Sequence, residues 1–148
     1  MAAEQRTPFR AGQVVARLAR HEEVVLAKID LSPAQYRILS FLAAGPSNAA
    51  GLASKLAVTP PSLTTVVDGL VARGLVERSH DSDDRRRVAH TLTHEGSRVL
   101  EQADRVIEER LREILSHVSS AYAQGALRGL EAWQEPLDRY RAARLISK

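Results

Sequence analysis

Three consecutive arginines close an acidic run, Asp81-Ser82-Asp83-Asp84-Arg85-Arg86-Arg87. Guanidinium groups on the tip of a projecting turn suit phosphate and the narrow, strongly negative minor groove of DNA. Upstream, Thr59-Pro60-Pro61-Ser62 has the form of a helix cap with proline at the first helical positions. A helix start of this kind directs N–H groups and a positive dipole end at anions. The small polar residues Ser62, Thr64 and Thr65 that follow can approach base edges in a major groove. Other chemistries are poorly supplied. Ser, His and Asp all occur, but no Gly-x-Ser-x-Gly elbow, phosphate loop or glycine-rich dinucleotide fingerprint accompanies them, so no catalytic residues are expected. His90 and His94 are four apart, yet the first falls in an expected strand and the second at a helix start. Helical metal-pair geometry does not follow, and neither a metal site nor a cofactor is expected.

The elements that must position these residues can be read from apolar spacing. Val14, Val15, Leu18, Val25, Leu26 and Ile29 repeat at helical intervals, which predicts an amphipathic helix over 11–29. Ser32-Pro33 starts a second helix carrying Tyr36, Ile38, Leu39, Phe41 and Leu42, which stops at Gly45-Pro46. Asn48 can cap a short third helix with Leu52, Leu56 and Val58. From Pro60 a fourth helix buries Leu63, Val66, Val67, Leu70 and Val71, with Gly74 as its left-handed end. The period then changes to two: Leu75–Arg78 and Val88–Leu92 are expected strands, joined by the acidic and arginine-rich tip. After Gly96 a helix of about 24 residues is expected, closed at Gly125. The final pattern, Leu127 to Leu145, holds Pro136, which should kink or interrupt it. Apolar stripes on the first and last helices suggest a seam between two copies of the chain, the alternative being that the two helices pack on each other within one chain.

Composition sets the frame. The 148 residues include no Cys and are 44% hydrophobic and 26% charged, as expected of one globular domain. Disulfides and thiol chemistry are excluded. No apolar run approaches the ~20 residues of a membrane-spanning helix, and Met1 to Arg10 has no signal-peptide core. The expected compartment is the cytoplasm, with no membrane partner. The net charge is +3, divided as +2 over 1–47, +1 over 48–98 and zero over 99–148. This global field is mild, so any nucleic-acid argument rests on where single arginines sit.

A short helix, a tight turn, a second helix and a two-stranded hairpin with a basic tip follow the order of a winged helix-turn-helix. The segment Ser62 to Arg78, containing Gly74-Leu75-Val76-Glu77-Arg78, then Asp81 to Arg86 and Leu92-Thr93-His94-Glu95-Gly96, resembles the MarR (multiple antibiotic resistance regulator) family of bacterial transcription factors. Leu31 to Leu39 resembles the family's second helix. The likeness covers nearly the whole chain. It implies a mainly α fold with a small β-hairpin wing, in which a winged helix-turn-helix lobe over 31–98 lies between dimerisation helices at 1–30 and 99–148.

The same resemblance implies a homodimer on double-stranded DNA at a pseudo-palindromic operator, acting as a repressor released by a small anionic or phenolic effector. The DNA-contacting residues would be Thr59, Pro61, Ser62, Thr64, Thr65, Arg85, Arg86 and Arg87. Arg85 would enter the minor groove, Arg86 would pair with Asp68, and Asp68 and Asp84 would anchor the wing. Arg17, His21, Tyr36 and Arg37 would line the effector cleft. Relatives often carry Arg on the recognition helix where this chain has Thr65 and Gly69. The alternative reading is a winged-helix module that holds a protein partner and never touches DNA.

Overall fold

Helix boundaries follow local capping chemistry almost throughout. The computed structural model describes residues 10–56, 59–80 and 88–146. Helix α1 runs Ala11–Ala27 and α2 runs Pro33–Ala43. The Ser32 hydroxyl accepts the Gln35 N–H while the Gln35 side chain accepts the Ser32 N–H, a reciprocal cap that fixes where α2 starts. Strand β1 (Ser47–Asn48) leads into α3 (Ala49–Leu56), whose first turn is capped by Asn48 Oδ1 accepting from Gly51 N at 2.7 Å. Val58, assigned to this helix from the sequence, lies outside the described residues. Helix α4 spans Pro60–Ala72, followed by β2 (Val76–His80), β3 (Val88–Leu92) and α5 (His94–Leu115). Gly74 adopts the left-handed conformation at φ +70 that the sequence led us to expect.

Strand β2 and the start of α5 are displaced by one or two residues from expectation, and two breaks among the C-terminal helices differ from it more. The long helix breaks at Ser116–Ser119, and Gly125 lies inside α6 (Ser120–Glu131). The Ser119 side chain accepts the Tyr122 N–H and starts the new helix, whereas an interior glycine costs a helix only about 1 kcal/mol and need not end it. A second break, at Ala132–Trp133, separates α6 from α7 (Gln134–Ile146). Pro136 therefore falls in the first turn of α7, where its missing N–H removes no needed bond, and Leu137 N donates to Trp133 O. The C-terminal region is three helices, where two were expected.

The three strands form one antiparallel sheet in the order β1-β3-β2. In β3, His90 pairs with Ser47 on one side and Arg78 on the other. The core lies between the sheet and α1 to α5, with Leu26, Leu39, Leu52 and Leu70 fully buried. Helices α1 and α2 pack on α5, and α4 packs on α2, α3 and β2. Neither α6 nor α7 shares in this extensive packing. Among the described residues no helix is long and apolar enough to cross a membrane, and no group of three or more His, Asp or Glu is placed to hold a metal ion.

Candidate nucleic-acid interface

Helix α4 is apolar on the side that faces the core, through Leu63, Val67 and Leu70, and this fixes which residues it turns outward. Pro61, Ser62, Thr64, Thr65 and Asp68 are exposed. Thr59 is the N-cap in extended conformation, but its hydroxyl lies 3.0 Å from the Ser62 hydroxyl and caps no backbone N–H. Because Pro60 and Pro61 carry no N–H and Leu63 N donates to Thr59 O, Ser62 is the first residue of the helix body with an N–H to offer an anion. The helix start is thus a weaker anion site than the capping pattern suggested, and its exposed hydroxyls and methyls matter more.

Asp68 was expected to take Arg86. Its partner among the described residues is Arg78, whose guanidinium donates to Asp68 Oδ1. Both side chains are partly exposed, so the pair adds little stability, about 0 to 1 kcal/mol; its effect is to fix β2 against the middle of α4. Arg78 is also the cross-strand neighbour of His90. Asp84, Arg85, Arg86 and Arg87 lie outside the described residues, between the facing ends of β2 and β3.

His90 is buried, and its Nδ1–H donates to the Ser47 carbonyl oxygen at 3.3 Å. It forms one wall of an open cavity of about 540 Å³ under the wing, with Asn48, Leu63, Thr64, Val67 and Arg78 around it. Burial lowers the His90 pKa below 6.5, and the Arg78 charge pushes it the same way against the opposing Ser47 carbonyl and Asp68. An unfolded imidazole takes a proton near pH 6.5 while the folded one resists, so this residue's contribution is intact above pH 6.5 and is lost as the pH falls below it. The melting temperature is expected to drop between pH 7.5 and 5.5, and His90→Asn, which keeps a donor for Ser47, should drop less. Equal losses in both proteins would assign the acid sensitivity elsewhere.

The residues expected to line an effector cleft are only partly brought together. Tyr36 of α2 donates its hydroxyl to Asp104 Oδ1 of α5 at 2.8 Å. Burial first, then this bond, pushes the phenol pKa up and keeps Tyr36 protonated. Burial also raises the Glu22 carboxyl of α1, a shift that the nearby Arg37 charge opposes. His21 pairs with another partner, Arg110 of α5, whose Nη1 donates to His21 Nδ1 at 3.4 Å. Arg17 is exposed on α1.

A further contact passed unnoticed in the sequence. Arg73, at the end of α4, donates to the Asp30 carbonyl oxygen at 2.6 Å, and Asp30 has a positive φ of 54 where α1 turns into α2. The end of the exposed helix is thereby tied to the junction of the first two helices. A positive φ at a non-glycine residue has no pattern in apolar spacing, although Asp tolerates it better than most residues.

Comparison with known proteins agrees with this arrangement. The structure superposes on the transcriptional regulator BldR from Sulfolobus solfataricus with a TM-score of 0.66 and 31% identity, covering 85% of this chain and 90% of that one. The MarR family model matches residues 29–87. The chain belongs to the MarR family. Among other members, a mutant MarR from Escherichia coli, complexed with operator DNA, has a TM-score of 0.64 at 24% identity over 84% of this chain and 90% of that chain. The Escherichia coli homoprotocatechuate degradative operon repressor is 33% identical over 91 residues, 61% of this chain and 62% of that protein. The matched region spans about 60% of the length of such curated MarR relatives. The relatives named here are regulators and not enzymes. The mainly helical architecture with its three-stranded sheet is that of the MarR winged-helix proteins.

Proposed function

We propose that this MarR-family protein is a homodimeric, sequence-specific DNA-binding regulator of transcription in the cytoplasm. It represses at a pseudo-palindromic operator and is released by a small anionic or phenolic ligand. One observation carries the reading: α4 turns Pro61, Ser62, Thr64 and Thr65 outward on a helix that packs on β2 and is joined to it by the Asp68–Arg78 pair, and the arginine run lies in sequence between β2 and β3. That geometry suits one helix in a major groove and a guanidinium cluster at the neighbouring minor groove. In this reading residues 31–98 form the reading lobe, with Thr59, Pro61, Ser62, Thr64 and Thr65 at the major groove and Arg85, Arg86 and Arg87 at phosphates and the minor groove. Residues 1–30 and 99–148 form the dimer.

Two further features support the finer parts. Val14 and Val15 on α1, Tyr122 and Leu130 on α6, and Leu137 and Tyr140 on α7 are large apolar side chains at the surface, an arrangement that marks an interaction face. Tyr36, Asp104, Glu22 and Arg37 place a phenol, two carboxylates and a guanidinium where α1, α2 and α5 meet. A ligand there, with Arg17 and His21 on the same helix as Glu22, changes operator occupancy only as far as it prefers the state that cannot bind DNA. The repressor named above, which belongs to an aromatic-acid degradative operon, supports both the sign and the ligand class.

The test is a gel-shift of the purified chain against the DNA upstream of its own gene, with unlabelled nonspecific competitor and a salt titration. A complex that survives competitor is expected. Replacing Arg85, Arg86 and Arg87 together by Ala should weaken it about 100-fold at moderate salt and lower the salt slope by about one unit for each phosphate that is no longer neutralised. Undiminished binding by the triple variant would remove the wing from the interface. Absence of any specific complex, in a genome-wide selection as well, would favour the protein-holding module.

A further inference from the structure

The outward face of α4 lacks the side chains that normally read bases. Between residues 59 and 72 there is no Arg, Lys, Asn, Gln or Glu, and the single charged residue, Asp68, is paired with Arg78. Several of the hydroxyl protons on this face are already engaged. Thr65 Oγ1 donates to the Pro61 carbonyl oxygen one turn back at 3.3 Å. Thr59 and Ser62 share a bond at 3.0 Å, which takes one of their two protons. Where a longer side chain could have stood, Gly69 offers only hydrogen, with Gln35 Nε2 as the one neighbour within 4 Å of a Cβ built there.

Guanine presents two acceptors, O6 and N7, to the major groove and is read by donors. This helix has few to give. What it does present is apolar: the Pro61 ring and the Thr65 methyl, the part of that side chain with no bond to make. The apolar landmark of the major groove is the thymine 5-methyl group. We propose that α4 selects A·T pairs through thymine methyl groups, with the Thr65 methyl as the principal reader and Pro61 beside it, and that it makes no guanine contact. The inference rests on the DNA-binding reading above and names the base class that the recognition helix takes. Arginine would act in this protein through the wing alone, dividing shape and charge from base identity between two elements.

The experiment uses the full chain and duplexes selected by it from a random 24-base-pair pool in the presence of nonspecific competitor. The best duplex is resynthesised with each half-site thymine replaced singly by deoxyuridine, which removes the methyl and leaves the pairing edge unchanged. Affinity should fall about four-fold at one or two thymines per half-site, the transfer of one methyl group out of water, and about sixteen-fold when both half-sites are changed. Thr65→Ser keeps the hydroxyl bonded to Pro61 and loses the methyl; it should abolish the thymine-to-uracil difference at its own position. Thr65→Val keeps the methyl and should preserve that difference. Specific binding that ignores every deoxyuridine, a selected half-site with invariant guanine under α4, or an unaltered difference in Thr65→Ser would each overturn the inference and leave the regulator reading standing. Failure to select any specific duplex would overturn both.

Discussion

Gly96→Ala should destabilise the fold by about 3 kcal/mol, toward the upper end of overpacking penalties, and lower the melting temperature by about 6 to 12 °C. A Cβ at this position would collide with the Leu75 carbonyl oxygen and reach 2.7 Å from Leu92 Cδ1. Neither neighbour can move freely. Leu75 follows the left-handed Gly74, its N–H donates to Leu70 O, and its carbonyl accepts the Thr93 N–H at 3.1 Å. The Thr93 hydroxyl donates to Gly74 O at 2.7 Å and accepts from Gly96 N at 2.9 Å. The start of α5 is therefore seated on the turn between α4 and β2, and any side chain at Gly96 lifts it off. Gly125→Ala is the contrast: it sits mid-helix with nothing within 4 Å of its would-be Cβ and should leave stability unchanged or raise it by up to about 1 kcal/mol. Calorimetry at one protein concentration reads both, since dimer melting depends on concentration. A melting temperature for Gly96→Ala within 2 °C of the wild type would show that the seat is not close-packed.

On the homodimer reading proposed above, the double variant Trp133→Asp, Leu137→Asp should convert the protein from dimer to monomer and weaken operator binding about 100-fold. Trp133 and Leu137 are each 60% exposed, and Tyr122 and Tyr140 nearby are 67% and 62% exposed. Exposed apolar side chains as large as Trp133, Leu137 and Tyr122, on helices outside the closed core, mark an interaction surface. Helix α6 buries no residue within the protomer, and α7 meets α2 where Arg141 lies 5.5 Å from the Phe41 ring centroid. Charges on that face should thus spare the core built by α1 to α5. The DNA loss follows because two linked lobes bind a two-part site with a high effective local concentration, and separate lobes do not. Light scattering should give about twice 16.3 kDa for the wild type and 16.3 kDa for the variant. A monomeric wild type at micromolar concentration, or a dimeric variant, would move the interface away from these helices.

The sequence by itself determined the features written in neighbouring residues. Ser32-Pro33, Asn48, Thr59-Pro60 and Gly74 each mark an element boundary through chemistry that acts within a few positions, so they can be read without knowing the fold. The acidic and arginine-rich tip and the motif around Gly96 likewise identified a winged family. What only the tertiary structure decided depends on residues far apart in the chain. Strand β1 has two residues and no period of its own; it exists because Ser47 and Asn48 pair with His90 and Ala89. Among the described residues Asp68 pairs with Arg78 because β2 packs on α4, a fact of packing that a count of wing arginines does not contain. One difference is local and not tertiary: α6 starts on the Ser119 capping hydroxyl, a stronger signal than an interior glycine. Most consequential for function, the hydroxyls of Thr59, Ser62 and Thr65 look equally ready to donate in the sequence. Folding engages the Thr65 hydroxyl with the Pro61 carbonyl and those of Thr59 and Ser62 with each other, on a face that stays exposed.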